Sequence, residues 1–367
     1  MKKITVFYDY DAFWGKIGGV PRCFIENFKV LEKSINLLLF VPFSDNIYLQ
    51  EYKKVKRFLP WFSFKGKTTL QNSISKILTV FALHTKKYDI FHSTGENTYF
   101  LSHLKSHPLV ITVHDMIPEE INLSDRVKVR SKLIQNANQI ITVSQYTKNR
   151  LLHFYPMISP DKIEVIYHGY RSEPKKYTEN KWGNYILYVG GRSGYKNFKK
   201  FAQSVSKILQ IYNLNLVCTG YSFNKEEKEL LLELGIFKHT IQIFADEQTL
   251  YSLYKYAKVF VYPSIIEGFG IPILEAWDNQ CPICISNSSC FPEIAQDAAI
   301  YFDPHDEKDI YHAIELILND EKLRKNLINK GNQYLKEYTW EKSALKLKAT
   351  YLKVMRYEEN SNTYTRP

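Results

Sequence analysis

Val259-Phe-Val-Tyr-Pro-Ser-Ile-Ile-Glu267-Gly-Phe-Gly-Ile-Pro-Ile-Leu-Glu275 is the stretch on which the reading of this chain turns. Val259 to Tyr262 form a short apolar run, rich in β-branched and aromatic residues, of the kind that makes a buried parallel strand. Gly268 and Gly270 let the backbone turn tightly, and Pro272 suits the first turn of a helix. A strand that passes through a glycine turn into a helix is half of a doubly wound α/β unit. Glu275 then falls about one turn inside the helix. Free amides at the helix start would attract a phosphate, and Glu267 and Glu275, as acceptors for hydroxyl protons, could grip a sugar and a ribose on either side of it. The turn alone is equally a plain structural crossover; the two glutamates make it a candidate site.

Outward from that stretch, strand-like runs alternate with helical patterns along the whole chain. Ile4 to Tyr8, Asn36 to Val41, Ile90 to His92, Leu109 to His114, Gln139 to Val143 and Ile163 to Tyr167 are the first six strands. Val20 to Lys33, Asp125 to Ala137 and Ser144 to Phe154 read as helices between them. Arg171 to Trp182, polar and lysine-rich with Pro174, reads as a linker. A second round starts at Tyr185, with strands at Tyr185 to Val189, Leu214 to Thr219, Ile241 to Phe244, Val259 to Tyr262, Pro282 to Ile285 and Ala299 to Phe302. The expected fold is α/β with two similar doubly wound halves. Ligand is expected in a crevice at the carboxyl ends of their strands. Thr339-Trp340-Glu341 opens an amphipathic helix through Val354, followed by a polar tail from Tyr357 expected to fray.

The composition agrees. At 367 residues the chain has length for two ordinary domains, and 45% hydrophobic with 15% aromatic residues is that of a folded protein. No apolar run reaches the 18 residues or more of a membrane span. Ile4 to Tyr8 after Met1-Lys-Lys is too short for a signal peptide and runs into Asp9 and Asp11, so it reads as the first strand. Five scattered cysteines argue against a disulfide framework and suit a reducing cytosol. Cys281-Pro-Ile-Cys284 has metal-site spacing, but it lies in a strand-like run without a second ligand pair and reads as core. Net charge is +11; residues 1–170 hold 23 Lys+Arg against 14 Asp+Glu, leaving +2 for the remainder. Lys53, Lys54, Lys56 and Arg57 before Trp61, Phe62 and Phe64 form one basic group, and Arg126, Lys128, Arg130 and Lys132 another. Such interleaving suits an anionic membrane surface, nucleic acid or a merely solvated face, and no nucleic-acid module is recognisable.

Glu267, seven intervening residues and Glu275 resemble the paired-glutamate motif of family 4 glycosyltransferases, retaining enzymes of the GT-B fold. Further motifs are similar to that family's. Gly190-Gly191-Arg192-Ser-Gly-Tyr-Lys196 follows a strand, so that Arg192 can reach a diphosphate as a fork and Lys196 as a point charge; basic residues there are equally just solvated. The spacing resembles the Arg and Lys pair with which the family neutralises the leaving nucleotide diphosphate. Gly18 and Gly19, after the first strand, resemble the glycine pair whose amides lie near the donor diphosphate and acceptor; they lack GxGxxG spacing, which weakens a dehydrogenase reading. Val113-His114-Asp115-Met-Ile-Pro118 resembles a strand end whose histidine contacts the donor sugar, although a lone His there is more often structural. Ser144, and with it Asp115, matches cleft-shaping positions, and His168-Gly169 reads as a hinge.

The resemblance implies two Rossmann-like domains facing a central cleft. Residues 1–170 would bind acceptor and 171–339 the nucleotide sugar, with 340–367 crossing back onto the first domain. It implies His114, Arg192, Lys196 and Glu267 as catalytic. Gly18, Gly19, Gly191, Arg192, Lys196, Gly268, Phe269, Gly270, Ile271 and Glu275 would hold the donor. No cofactor and no metal are implied. Asp9-Tyr-Asp11 has the spacing of a metal-binding Asp pair but sits at a strand end and is expected to be structural or near the acceptor. The expected function is a retaining hexosyltransferase of surface polysaccharide synthesis. By similarity to polysaccharide mannosyltransferases, mannose from GDP is expected over a UDP-sugar. The expected acceptor is a lipid-linked saccharide, in a cytoplasmic protein at the inner membrane face. A nucleotide-sugar epimerase or phosphorylase on the same fold, or a non-catalytic anionic-ligand or membrane-binding protein, are the alternatives.

Overall fold

The computed structural model describes residues 3–59 and 61–364, with side chains through Arg356. The chain divides into two compact units, residues 1–169 with 340–367, and residues 170–339. In the first unit six parallel strands form one sheet: β1 (Thr5–Tyr8), β2 (Asn36–Leu39), β3 (Ile90–Ser93), β4 (Leu109–Val113), β5 (Gln139–Thr142) and β6 (Ile163–Val165), in the order β2-β1-β3-β4-β5-β6. The second unit repeats the plan with β7 (Tyr185–Tyr188), β8 (Asn215–Thr219), β9 (Thr240–Ile243), β10 (Val259–Tyr262), β11 (Ile283–Ser286) and β12 (Ile300–Phe302), in the order β12-β11-β10-β7-β8-β9. Every strand expected from the sequence forms, with ends displaced by no more than two residues. The reason is the one the apolar runs suggest: parallel strands with helices on both faces must be apolar on both.

Helices cover the sheets through large aromatic residues. Phe198, Phe201, Val205 and Ile208 of the helix Phe198–Ile211 are buried in the second unit's core with Tyr188. Trp277, in the helix Ile271–Asp278, packs where the helix Glu321–Leu335 has Gly331; a Cβ at 331 would overlap the indole. In the first unit the helix Gly19–Leu31 lays Phe24 and Phe28 against Tyr8. The last helix, Trp340–Tyr364, packs against the same helix Gly19–Leu31. It carries Tyr351 into the middle of the unit, where its hydroxyl lies 2.5 Å from that of Tyr8 and 2.6 Å from His92 Nδ1, and His92 Nε2 lies 2.9 Å from Thr112 Oγ1. Burying the Tyr351 ring stabilises by about 1.5–3 kcal/mol, and the hydrogen-bond chain removes the cost of leaving its hydroxyl dry.

Three expectations change. The segment Arg171 to Trp182 has no helix or strand, yet it is no free linker: Lys175 forms a buried ion pair with Asp278, and the Thr178 amide donates to Ser252 Oγ at 2.8 Å. A buried ammonium needs such a partner, so the strap is pinned to the second unit. The helical backbone continues through Tyr364, past the point at Tyr357 where fraying was expected. A 19-residue helix, Lys67–Thr85, occupies a part of the chain to which the sequence assigns nothing. All five cysteines are buried free thiols, Cys281 and Cys284 among them. Among the described residues no helix is long and apolar enough to cross a membrane.

Candidate functional site

Each sheet has one place where strand order reverses, between β1 and β3 in the first unit and between β7 and β10 in the second. Loops leaving those two carboxyl ends diverge, and the gap between them is where a doubly wound unit binds ligands. In the second unit the two loops are residues 189–197 and 263–270, the segments singled out by their glycines and charges. The Ile265 amide donates to the Tyr195 carbonyl at 2.8 Å and ties one loop to the other. Lys196 Nζ then lies 2.6 Å from Glu267 Oε1, with the lysine side chain 21% exposed and the glutamate 11%. The buried Tyr262 phenol also hydrogen-bonds Glu267; burial, then that carboxylate, pushes it well above its ordinary value, so it remains a donor.

Gly270 starts the helix Ile271–Asp278 from φ +89°, a left-handed conformation that favours glycine, and a Cβ there would crowd Ile273 and Phe291 at 3.1 Å. Phe269, beside Gly268, is buried against Tyr338. Glu275 is the fifth residue of that helix and is buried, accepting from Tyr254 Oη at 3.2 Å. Gly190, at φ +120°, and Gly191 make the other turn, and Lys196 follows one step before Asn197, which starts the helix Phe198–Ile211 in the left-handed region.

Arg192 is placed differently from the expectation. Its Nε bonds Glu227 Oε1 at 3.0 Å, Nη1 donates to the Thr219 carbonyl at 3.1 Å, and Nη2 donates to the carbonyls of Tyr221 and Ser222. The guanidinium also stacks over Phe223, 4.6 Å from the ring centroid. The side chain is only 5% exposed, because Glu227 supplies a carboxylate on the neighbouring helix Lys225–Glu233. Sequence reading missed Glu227, though a signal was there: Asn224 and Glu227 have capping-box spacing and form that box. Tyr254 and Tyr262 left no trace beyond apolar periodicity.

In the first unit the reversal point is built from Asp9 and Asp11 after β1 and from residues 94–99 after β3. Asp9 is fully buried and accepts from the Thr94 amide at 2.9 Å, Thr94 Oγ1 at 2.7 Å and Tyr99 Oη at 3.1 Å, which ties the end of β1 to the loop after β3. Asp11 accepts from Asn97 Nδ2 at 2.5 Å. Gly95 has no side chain because a Cβ would overlap the Asp11 carboxylate. Burial, then the charge of Asp9, pushes the Asp11 carboxyl up to about 7. A group raised in the folded state lends stability that is complete below its unfolded value near 3.8 and is lost as pH rises through about 7. Asp11→Asn, which cannot ionise, is therefore expected to gain on the wild type by roughly 2–4 kcal/mol in urea melts between pH 4 and pH 8. A difference that stays constant across that range would contradict this.

Gly18 and Gly19 stand at the start of the helix Gly19–Leu31, with Gly18 as its N-cap in extended backbone at φ 175°, where a Cβ would meet Pro21 Cδ at 3.3 Å. His114, one residue past β4, is part-buried; its Nε2 is buried and has no protein partner. His114 borders a cavity of about 30 Å³, room for buried water, lined also by Phe24, Asn27, His92, His168 and Ser343. Burial, against the pull of Asp115 and Glu96, lowers His114 to about 4, so the ring is neutral at physiological pH and donates from one nitrogen only. His168, expected as a hinge, stacks on His114 at 5.6 Å and packs near Trp340.

Ser144 is fully buried as the N-cap of the helix Gln145–Phe154, accepting from the Thr147 amide and donating to Thr147 Oγ1 at 2.9 Å. Asp115 accepts from the Ile117 amide at 3.0 Å and lies 3.7 Å from Arg130. Arg130, counted above with an exposed basic group, is buried and paired with Glu119 at 2.9 Å and with Glu96, which also holds Arg126 at 2.8 Å. Of that second basic group only Arg130 is internal; Arg126, Lys128 and Lys132 are exposed.

Comparison with known proteins accounts for both halves. The family described as Glycosyltransferase Family 4 matches residues 17–173, and Glycosyl transferases group 1 matches residues 170–334. The chain is similar to the O-antigen chain mannosyltransferase RfbU of Salmonella typhimurium, 32% identical over 241 residues, 63% of this chain and 65% of that relative; it thus spans just under two thirds of it. It is similar to O-antigen chain mannosyltransferase B of Escherichia coli, 29% identical over 283 residues, 71% of this chain and 73% of the relative. Among solved structures it resembles sucrose-phosphate synthase from Thermosynechococcus elongatus, with a TM-score of 0.77 and 15% identity over 97% of this chain and all of the other. The likeness shows the fold, GT-B with two Rossmann-like units.

Proposed function

This chain belongs to the family 4 glycosyltransferases, and we propose that it is a retaining enzyme that moves mannose from GDP-mannose to a saccharide acceptor, lipid-linked, in surface polysaccharide synthesis. The relatives named as O-antigen mannosyltransferases support the sugar and the pathway class. The observation that carries the reading is the 2.6 Å contact between Lys196 and Glu267 at the strand-order reversal of the second unit, beside the buried Glu275.

The diphosphate of the donor takes the Gly268–Ile271 amides at the helix start and the Lys196 ammonium. Lys196 is exposed enough to turn from Glu267 to the incoming phosphates, which neutralises negative charge as the glycosidic bond lengthens. Glu267, released from the ammonium, accepts from a hydroxyl of the donor sugar and fixes its orientation. Glu275 accepts the ribose hydroxyls, with Tyr254 holding its other side. Arg192 acts from behind: it anchors the turn at Gly190 and Gly191 to residues 219–222 and Glu227, and its charge adds to the field at the diphosphate. No step requires an enzyme nucleophile, a cofactor or a metal ion.

Melting temperatures with GDP, UDP, ADP and CDP in turn test the donor site. A nucleotide at about 100 times its dissociation constant adds about 2.7 kcal/mol of stability. GDP is expected to give the largest shift, and Glu275→Gln, which retains an oxygen for Tyr254, is expected to lose most of it while melting normally without ligand. A shift with UDP alone replaces the mannose assignment by a UDP-sugar. No shift with any nucleotide at millimolar concentration, together with no transfer from either donor, overturns the reading.

A further inference from the structure

The helix Lys67–Thr85 is built inside out. The side it turns to the core carries Ser75, Thr79, Ala82 and Leu83, three of them small, and Ser75 Oγ is buried there without a partner. The opposite side carries Leu70, Ile77, Leu78 and Phe81, with 44%, 69%, 36% and 67% of their surfaces exposed. Those positions, with Ile74, recur at three- and four-residue spacing and so form one stripe along the helix. A surface helix normally shows the reverse, because each exposed large apolar side chain forfeits the stabilisation of its burial.

The stripe continues into the loop before the helix. Trp61 is 91% exposed, Phe62 65% and Phe64 44%. This loop is fixed rather than loose on the helix: Lys67 Nζ donates to the Leu59 carbonyl at 2.8 Å, and the Phe64 carbonyl accepts from the Lys67 amide. Phe58 packs on Phe43, whose carbonyl accepts from Gln71 of the helix, so the basic residues just before Phe58 lie at the same end.

Charge identifies the occupant. From Lys53 to Tyr88 the chain has nine Lys and Arg residues and no Asp or Glu. Lys53, Lys54, Lys56, Arg57, Lys65, Lys86 and Lys87 are all exposed. A second copy of this chain would bring the same positive charge face to face, and a neutral apolar partner would leave it unanswered. An anionic lipid surface matches both features at once, with apolar side chains entering the acyl boundary and ammonium groups among the phosphates.

We propose that the helix Lys67–Thr85 and the loop Trp61–Phe64 form a docking face for a bilayer containing anionic phospholipid. The proposal deepens the functional reading above, since an acceptor carried on a lipid is met at such a surface. It rests on the lipid-linked part of that reading and not on the donor chemistry.

The test is flotation of the full chain with vesicles of phosphatidylcholine alone and of phosphatidylcholine with 30% phosphatidylglycerol, followed by the emission of Trp61. Binding to the anionic vesicles is expected, with a blue shift that Trp61→Phe removes and a loss of at least tenfold in bound fraction at 0.5 M salt. Ile77→Asn with Phe81→Asn, both on the exposed stripe, is expected to reduce binding at least tenfold while leaving the melting temperature and the nucleotide-induced shift unchanged. That unchanged shift separates this proposal from the donor-site reading. Equal flotation of the double variant and the wild type, or no flotation with anionic vesicles, overturns the proposal. A stable dimer that the double variant dissociates also overturns it, by giving the stripe to a second copy.

Discussion

Lys196→Ala is expected to lower the rate of sugar transfer by about two to three orders of magnitude, the scale of losing one preorganised charge or donor at a developing anion. The loss is expected in kcat more than in KM, because the diphosphate gains charge only as the glycosidic bond lengthens. The structure adds a second consequence. Glu267 is 11% exposed and has Lys196 at 2.6 Å, so the alanine leaves a nearly buried carboxylate without its ammonium. Glu267→Gln in the Lys196→Ala background removes that stranded charge. It is expected to recover folding stability without recovering transfer, since the sugar and diphosphate have both lost their partners. Lys196→Arg is expected to recover only part of the rate, because a planar fork does not replace a compact point charge between two loops tied at Ile265 and Tyr195. Steady-state rates with the expected donor, beside melts of each variant, decide the matter. A decrease of less than tenfold for Lys196→Ala would remove Lys196 from the chemistry.

Arg130→Met is expected to destabilise the first unit by about 3–5 kcal/mol at pH 7.5, the scale for removing one partner of a buried ion pair. Arg130 is 5% exposed and serves Glu119, Glu96 and the Asp115 carbonyl together. Burial pushes the Glu96 carboxyl up, but Arg130 and Arg126 overcome it and hold the group below its ordinary value of 4.5. Its contribution is therefore present above pH 4.5 and lost as pH falls through the lowered value. Glu119 goes the other way, raised by burial that Arg130 and Tyr155 only partly offset. Without Arg130 both carboxyls favour the protonated form. The deficit of the variant is expected to shrink by more than half between pH 7.5 and pH 4.5 in urea melts. A deficit below 1 kcal/mol at pH 7.5 would show that the network contributes little.

Much of this arrangement is legible in the residue order, and the exceptions have a common cause. Lys196, Glu267 and Glu275 stand out by spacing because each lies in the loop or the first helical turns that follow a strand, where local geometry sets direction. Arg192 has the same sequence signature, yet its fork is taken by Glu227, thirty-five positions away, and by the carbonyls of residues 219–222. Arg130 looked like part of an exposed basic group by composition and proved buried, because Glu96 and Glu119 come from segments outside its own helix. Ser144 has the chemistry of a binding residue and spends its hydroxyl on a helix cap.

By itself the residue order determined the alternation of twelve strands with helices, the two rounds, the glycine turns and the identity of the charged groups at their ends. Those are short-range matters: apolar periodicity and backbone permission act within a few residues. Only the tertiary structure decided which charges meet. The order of strands puts β7 beside β10 and so brings Lys196 to Glu267 across seventy-one positions. It likewise puts β1 beside β3, confining Asp9 and Asp11 with Thr94 and Asn97. It also decided that the helix Lys67–Thr85 turns its small residues inward and its large ones out. Which face of a helix is buried depends on the room the sheet leaves for it, and that room exists only once the strands have paired.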